Sequence, residues 1–169
     1  MSYKNKTYVI FDGDTDMHYY RLMTAWKAHD HIEFDFHNAH DLNSARDSSM
    51  EESIKAQLRI RMANSKQVIV LVGANTFRLT KFVKWELELA RKKDLPIIVV
   101  NLNGERKHDI SRCPSTLEDD TYTIHIPFGQ KIMRYALDEF PSSYYSARDR
   151  STKGHRFYYK DHVYTQLGI

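Results

Sequence analysis

The longest unbroken apolar run, Val68-Ile69-Val70-Leu71-Val72, is mostly β-branched and stops at Gly73, the pattern of a strand covered on both faces. After Gly73-Ala74-Asn75-Thr76, with Thr80 available as an N-cap, the period changes and residues 81–93 read as a helix. Stepping about 100° per residue, Trp85, Leu89, Phe82, Ala90, Val83 and Leu87 fill one arc, and Lys81, Lys84, Glu88, Arg91 and Lys92 the other. The remaining segments repeat this alternation. Residues 7–11 read as a first strand, and 18–28 as a helix that Asp16 can cap, with Tyr19, Leu22, Met23 and Trp26 at core spacing. Residues 32–36 alternate apolar and acidic, which marks a strand with one wet face nearer the sheet edge. A polar loop over 37–49 leads to a helix over 50–63, capped by Ser48 or Ser49, with Ile54, Leu58 and Met62 on one stripe. Residues 96–100 supply another buried strand, 122–126 a last strand and 130–140 a last helix. Strands alternating with helices imply right-handed crossovers, so the expected fold is α/β, a doubly wound, mainly parallel sheet with helices on both faces. Residues 1–140 form the expected domain, and 141–169 a basic and aromatic arm packed on it, with Phe157-Tyr158-Tyr159 as a short strand or part of that arm.

One polar residue breaks the pattern. Glu86 falls near the middle of the apolar arc of the 81–93 helix. A carboxylate there either caps a neighbouring loop or pairs with a buried Arg, or it opens into a cavity that uses it, since burying it unpaired costs several kcal/mol. Its helix starts just past the carboxyl end of a central strand, where open α/β sheets bind their ligands.

Composition narrows the classes. The chain has 169 residues, enough for one domain with a proper core, and 25 Lys+Arg against 22 Asp+Glu give a net charge of +3, too mild to imply a nucleic-acid or membrane partner. One cysteine, Cys113, excludes an internal disulfide framework and a cysteine-based zinc cluster, in keeping with a reducing cytoplasm. The start of the chain carries no signal-peptide core and no stretch approaches membrane-spanning length, so a soluble cytoplasmic protein is expected.

Several chemistries fail on spacing. Asp12-Gly13-Asp14-Thr15-Asp16 begins like a calcium loop, but Met17 stands where the sharp-turn Gly belongs and Met23 where the bidentate Glu belongs. A phosphoacceptor receiver would need an Asp after the third strand, where this chain has Val72-Gly73-Ala74-Asn75. The nine histidines lack zinc-ligand spacing, and no nucleophile elbow, phosphate loop or dinucleotide-binding glycine turn is present, so no metal site is expected. His40-Asp41 reads as a solvated loop pair or a hydrogen-bonded one. The aromatic and basic tail could stack on single-stranded nucleic acid, but tyrosine burial favours an arm packed on the domain.

Phe11-Asp12-Gly13-Asp14 followed by His18-Tyr19-Tyr20-Arg21, Trp26, Val70-Leu71-Val72-Gly73 with Thr76, and above all Val83-Lys84-Trp85-Glu86 resemble the bacterial Toll/interleukin-1 receptor-like (TIR-like) domains, including those of Thoeris antiphage defence. The similarity covers about residues 7–103. It implies a flavodoxin-like core and an enzyme that splits NAD at the nicotinamide glycosidic bond, NAD being substrate and no cofactor being needed. Glu86 after Trp85 matches the family's essential glutamate. The resemblance places Phe11, Asp12 and His40-Asp41 as candidates for the other side of an NAD pocket, although Asp12 stands where a Ser or Thr often follows the first strand. It further implies an ADP-ribose-type signal, cyclic or linear, that reaches a separate effector protein, a phage-derived trigger and self-association. The same family includes non-catalytic interaction modules, which keeps that alternative open.

Overall fold

The computed structural model describes residues 6–29, 35–38, 48–79, 81–117, 122–147 and 156–169. In chain order the elements are β1 (Lys6–Ile10), α1 (Met17–His29), β2 (Asp35–Asn38), α2 (Ser48–Ala63), β3 (Gln67–Val72), α3 (Phe82–Lys92), β4 (Ile97–Asn101), β5 (Thr123–Pro127), α4 (Gln130–Ser146), β6 (Arg156–Tyr158) and α5 (Asp161–Leu167), with 3₁₀ turns at Thr76–Arg78 and Ser115–Leu117. The six strands form one parallel sheet in the order β2-β1-β3-β4-β5-β6.

Parallel strands buried on both faces favour apolar side chains at most positions, and the registers show the result. Ile69 of β3 sits between Val9 of β1 and Ile98 of β4, and Ile124 of β5 lies beside Ile98. Val9, Ile69, Leu71, Ile98, Val100, Ile124 and Ile126 meet α1, α4 and α5 through Met23, Ala136, Leu137 and Tyr164. On the other face, Tyr8, Ile10, Val68, Val70, Ile97 and Val99 meet α2 and α3 through Leu58, Met62, Val83 and Leu87. The chain winds from β1 outward to β2, then returns past β1 to β3 and continues the other way. The switch point between β1 and β3 therefore has its crevice at their carboxyl ends.

The alternating pattern of residues 32–36 pointed to the sheet edge. The structure has β2 there, its described part covering Asp35–Asn38, with 30–34 outside the described residues. Thr80 also lies outside them, so the capping reading does not bear on what is seen: α3 follows Lys81, which makes no side-chain capping bond. One boundary is corrected. The sequence ends the last helix at Phe140, ahead of Pro141, but α4 runs on to Ser146 with Pro141 inside it. Proline removes a backbone bond and crowds the preceding turn. The next turn nevertheless carries Tyr144 into the core, and its hydroxyl donates to Asp94 Oδ1 at 2.7 Å. That anchorage holds the helical path through the proline.

Candidate functional site

The loop leaving β1 is folded by its own aspartates. Asp12 Oδ1 accepts a hydrogen bond from the Asp14 amide at 3.0 Å and Oδ2 one from the Thr15 hydroxyl at 2.7 Å. The Asp16 amide returns to the Asp12 carbonyl at 2.9 Å, and the Asp16 carbonyl accepts from the Tyr19 amide at 3.1 Å, which starts α1. Each oxygen of the Asp12 carboxylate is thus already engaged in shaping the turn. Asp16 is buried, and its carboxylate is laid against Gly73 at the end of β3, where a Cβ would collide with both oxygens. Its Oδ2 has no hydrogen-bond partner among the described residues. Burial, and then the Asp12 charge, raise the Asp16 carboxyl above its ordinary range. Gly73 in turn donates its amide to the Thr76 hydroxyl at 2.8 Å, closing the exit from β3.

Glu86 lies on α3, the helix that follows β3. It is 3% exposed and shares its helical arc with the buried Val83, Leu87 and Ala90. Burial pushes its carboxyl up to about 8; the Tyr8 phenol alone pulls it back, and no cation among the described residues does so. Tyr8 is 0% exposed in the middle of β1, on the sheet face that meets α3. Its phenol is raised well above the usual range, first by burial and then by Glu86. The two groups perturb each other, while the phenol oxygen makes no well-formed hydrogen bond among the described residues.

Other predicted residues divide between places. Phe11 stacks on Tyr20 with ring centroids 4.9 Å apart and planes within 5°, in the α1-side layer, so the sheet separates its ring from Glu86. Asp12 stands at the carboxyl end of β1 as expected. His40 and Asp41 lie outside the described residues. Trp85 points from α3 toward α2, its ring 5.3 Å from the Arg59 guanidinium and 5.8 Å from the Lys55 ammonium. Sequence reasoning gave Asp16 only a capping role and passed over Tyr8. A signal for Tyr8 existed: a tyrosine inside a parallel strand, with Val9 and Ile10 beside it, needs a partner for its hydroxyl in a dry layer. Among the described residues no group of three or more His, Cys, Asp or Glu side chains is placed to hold a metal, and no helix is long and apolar enough to cross a membrane.

This arrangement defines a flavodoxin-like α/β domain with a buried carboxyl group on the helix that follows its central strand β3. The family description "Thoeris protein ThsB, TIR-like domain" matches residues 2–107, more than half of the chain, and the chain belongs to that family. The matched region runs from β1 through β4 and includes Glu86, Tyr8 and the whole β1 loop. Membership connects the chain with Thoeris antiphage defence.

Proposed function

We propose that the domain is a cytoplasmic enzyme that consumes NAD by breaking the bond between ribose C1′ and the nicotinamide nitrogen, with Glu86 as the catalytic residue. The observation that carries this reading is the Glu86 carboxyl itself, buried on an apolar helical arc with no cation among the described residues to neutralise it. A buried carboxyl with no cation of its own is drawn toward ionisation when a cationic ligand enters, and the nicotinamide of NAD is a pyridinium. As the C1′–N bond breaks, its electron pair leaves with nicotinamide as a neutral base, so no general acid has to protonate the leaving group. Positive charge passes to the ribose, where the ionised Glu86 opposes it or holds the ribose hydroxyls. Water then adds to C1′ and gives up a proton to leave ADP-ribose, or an internal nucleophile closes a cyclic product. In this reading Asp12 contributes to the NAD site through the turn it folds, His40-Asp41 remain candidates outside the described residues, and Phe11, whose ring the sheet separates from Glu86, supports that turn from the α1 side. The product serves as a diffusible signal to a separate effector protein after a phage-derived trigger, with self-association completing the active form.

A second reading has an observation of its own. At 3% exposure Glu86 is almost closed off by its own fold, which favours a non-catalytic interaction module in which the residue is structural. Incubating the purified protein with NAD, alone and with an extract of phage-infected cells, separates the two. Release of nicotinamide is expected. No release under either condition, from protein shown to be folded, would favour the interaction module.

A further inference from the structure

The partner of Glu86 comes from the central sheet and not from a loop. We propose that Tyr8 is the positioning residue of Glu86: its phenol, walled into the dry layer between the sheet and α3, is the donor that holds the ionised carboxylate in place for a cationic substrate. This rests on the reading of Glu86 as the catalytic residue.

Three observations lead to it. Tyr8 is fully buried, and its side chain packs in the same apolar layer as Val83 and Leu87, which flank Glu86 on the helix. Its hydroxyl makes no well-formed hydrogen bond among the described residues, although a buried hydroxyl left without a partner costs about 1–3 kcal/mol. Among the described residues, the acidic group that acts on it is Glu86. From β3 the facing side chains are Val68, Val70 and Val72, which do not titrate. Along α2, Arg61 acts on Tyr8, while Lys55 and Arg59 lie over the Trp85 ring and Lys55 also pairs with Glu51. The turn Ser115–Leu117, which packs on the other flank of α3, holds no charged residue, and its Thr116 carbonyl accepts from Arg91. On α3 itself, Lys84 and Glu88 pair with each other on the exposed side.

A phenol is a donor to a carboxylate but cannot protonate it near neutral pH. With Glu86 protonated, a bond from the phenol to its carbonyl oxygen is an ordinary neutral one. Once the carboxylate forms, the same hydroxyl gains a charge-assisted bond, shorter and roughly twice as strong as a neutral one. Tyr8 therefore favours the charged form without introducing a cation that would repel a pyridinium. An arginine in its place would ionise Glu86 more readily but would neutralise the charge the substrate is meant to meet.

The test uses the pH dependence of stability, which reports the ionisation of Glu86 whether or not the protein turns over. Melting curves from pH 5 to pH 10 are compared for the parent, Tyr8→Phe, Glu86→Gln and the double variant. The Tyr8→Phe profile should place the Glu86-dependent midpoint about one pH unit more alkaline, the size expected for one lost hydrogen bond to a charged group, and the shift should vanish in the Glu86→Gln background. An unchanged midpoint, or a shift that persists without Glu86, overturns the proposal. Should Tyr8→Phe fold poorly, 3-fluorotyrosine placed at position 8 keeps the ring and makes the phenol more acidic, so the midpoint should move toward acid; no movement is again contrary. With NAD, the acid limb of kcat/KM should move with the same midpoint. If nicotinamide is never released, the reading of Glu86 as catalytic fails, and with it the role of Tyr8 toward a substrate, even where the stability profiles show the two groups coupled.

Discussion

Ionisation of Glu86 is opposed by the fold that positions it, and this conflict can be measured. Its carboxyl is raised from 4.5 to about 8, so between those values the folded state holds a proton that the unfolded chain releases. The corresponding stability is fully present below the unfolded value and is lost as pH rises through about 8. His125 has the opposite sign. Buried on β5 and pushed down to about 3, first by burial and then by His108 and Arg156, it weakens the fold as pH falls below 6.5. A comparison of the parent with Glu86→Gln removes His125 from the difference. The Gln variant should match the parent near pH 4 and exceed it by roughly a few kcal/mol at pH 8.5, read as chemical denaturation at the two pH values. Equal differences at both would mean that Glu86 is not held protonated by burial. Such stabilisation at the expense of activity is the usual mark of a residue kept for function.

At the scale of elements, α3 is built to hold its carboxyl from the side. Trp85 stands about 100° around the helix from Glu86, and its ring faces the cations of α2 at 5.3 and 5.8 Å. That geometry gives Trp85 a packing role. Trp85→Phe should change stability little, whereas Trp85→Ala should cost about 2 kcal/mol, at the low end for a large aromatic because the ring is only half-buried. Thermal melting and NAD affinity measured together check this: an unchanged melting temperature with sharply weakened binding would instead make the indole a ligand contact. The elements themselves were legible where physics at the residue level has one solution. The runs at 68–72 and 96–100 became β3 and β4 because an unbroken β-branched stretch fits little else, and the two-faced pattern after Gly73 became α3 with Glu86 buried as its arc required. The end of α4 was not legible, because Pro141 is a local stop signal that a distant contact, Tyr144 with Asp94, overrides. The partnership of Tyr8 was likewise hidden: which face of β1 meets α3 depends on the crossover, not on the strand's own sequence.

The whole molecule extends past the family match. Residues 2–107 carry β1 to β4 and Glu86, yet the core is closed by the C-terminal elements, with Val163 and Tyr164 of α5 buried beside α4 and β6 paired to β5. Arg106, inside the match, joins the two parts, its guanidinium 3.9 Å from the Tyr164 ring and 3.4 Å from an Asp161 oxygen. Removing residues 156–169 should therefore destabilise the domain by a few kcal/mol, on the order of two buried side chains lost, seen as a lower melting temperature of the truncated protein. An unchanged melting temperature would show that these elements are dispensable to the core. The central claim, that the buried carboxyl of α3 is the catalytic group of an NAD-cleaving enzyme, is tested most directly by nicotinamide release from NAD by the parent and by Glu86→Gln under identical triggering conditions. The Gln variant, shown to be folded, should release nicotinamide about a hundredfold more slowly or less, as expected when charge opposite a cationic transition state is removed. Equal rates from the two proteins would contradict it.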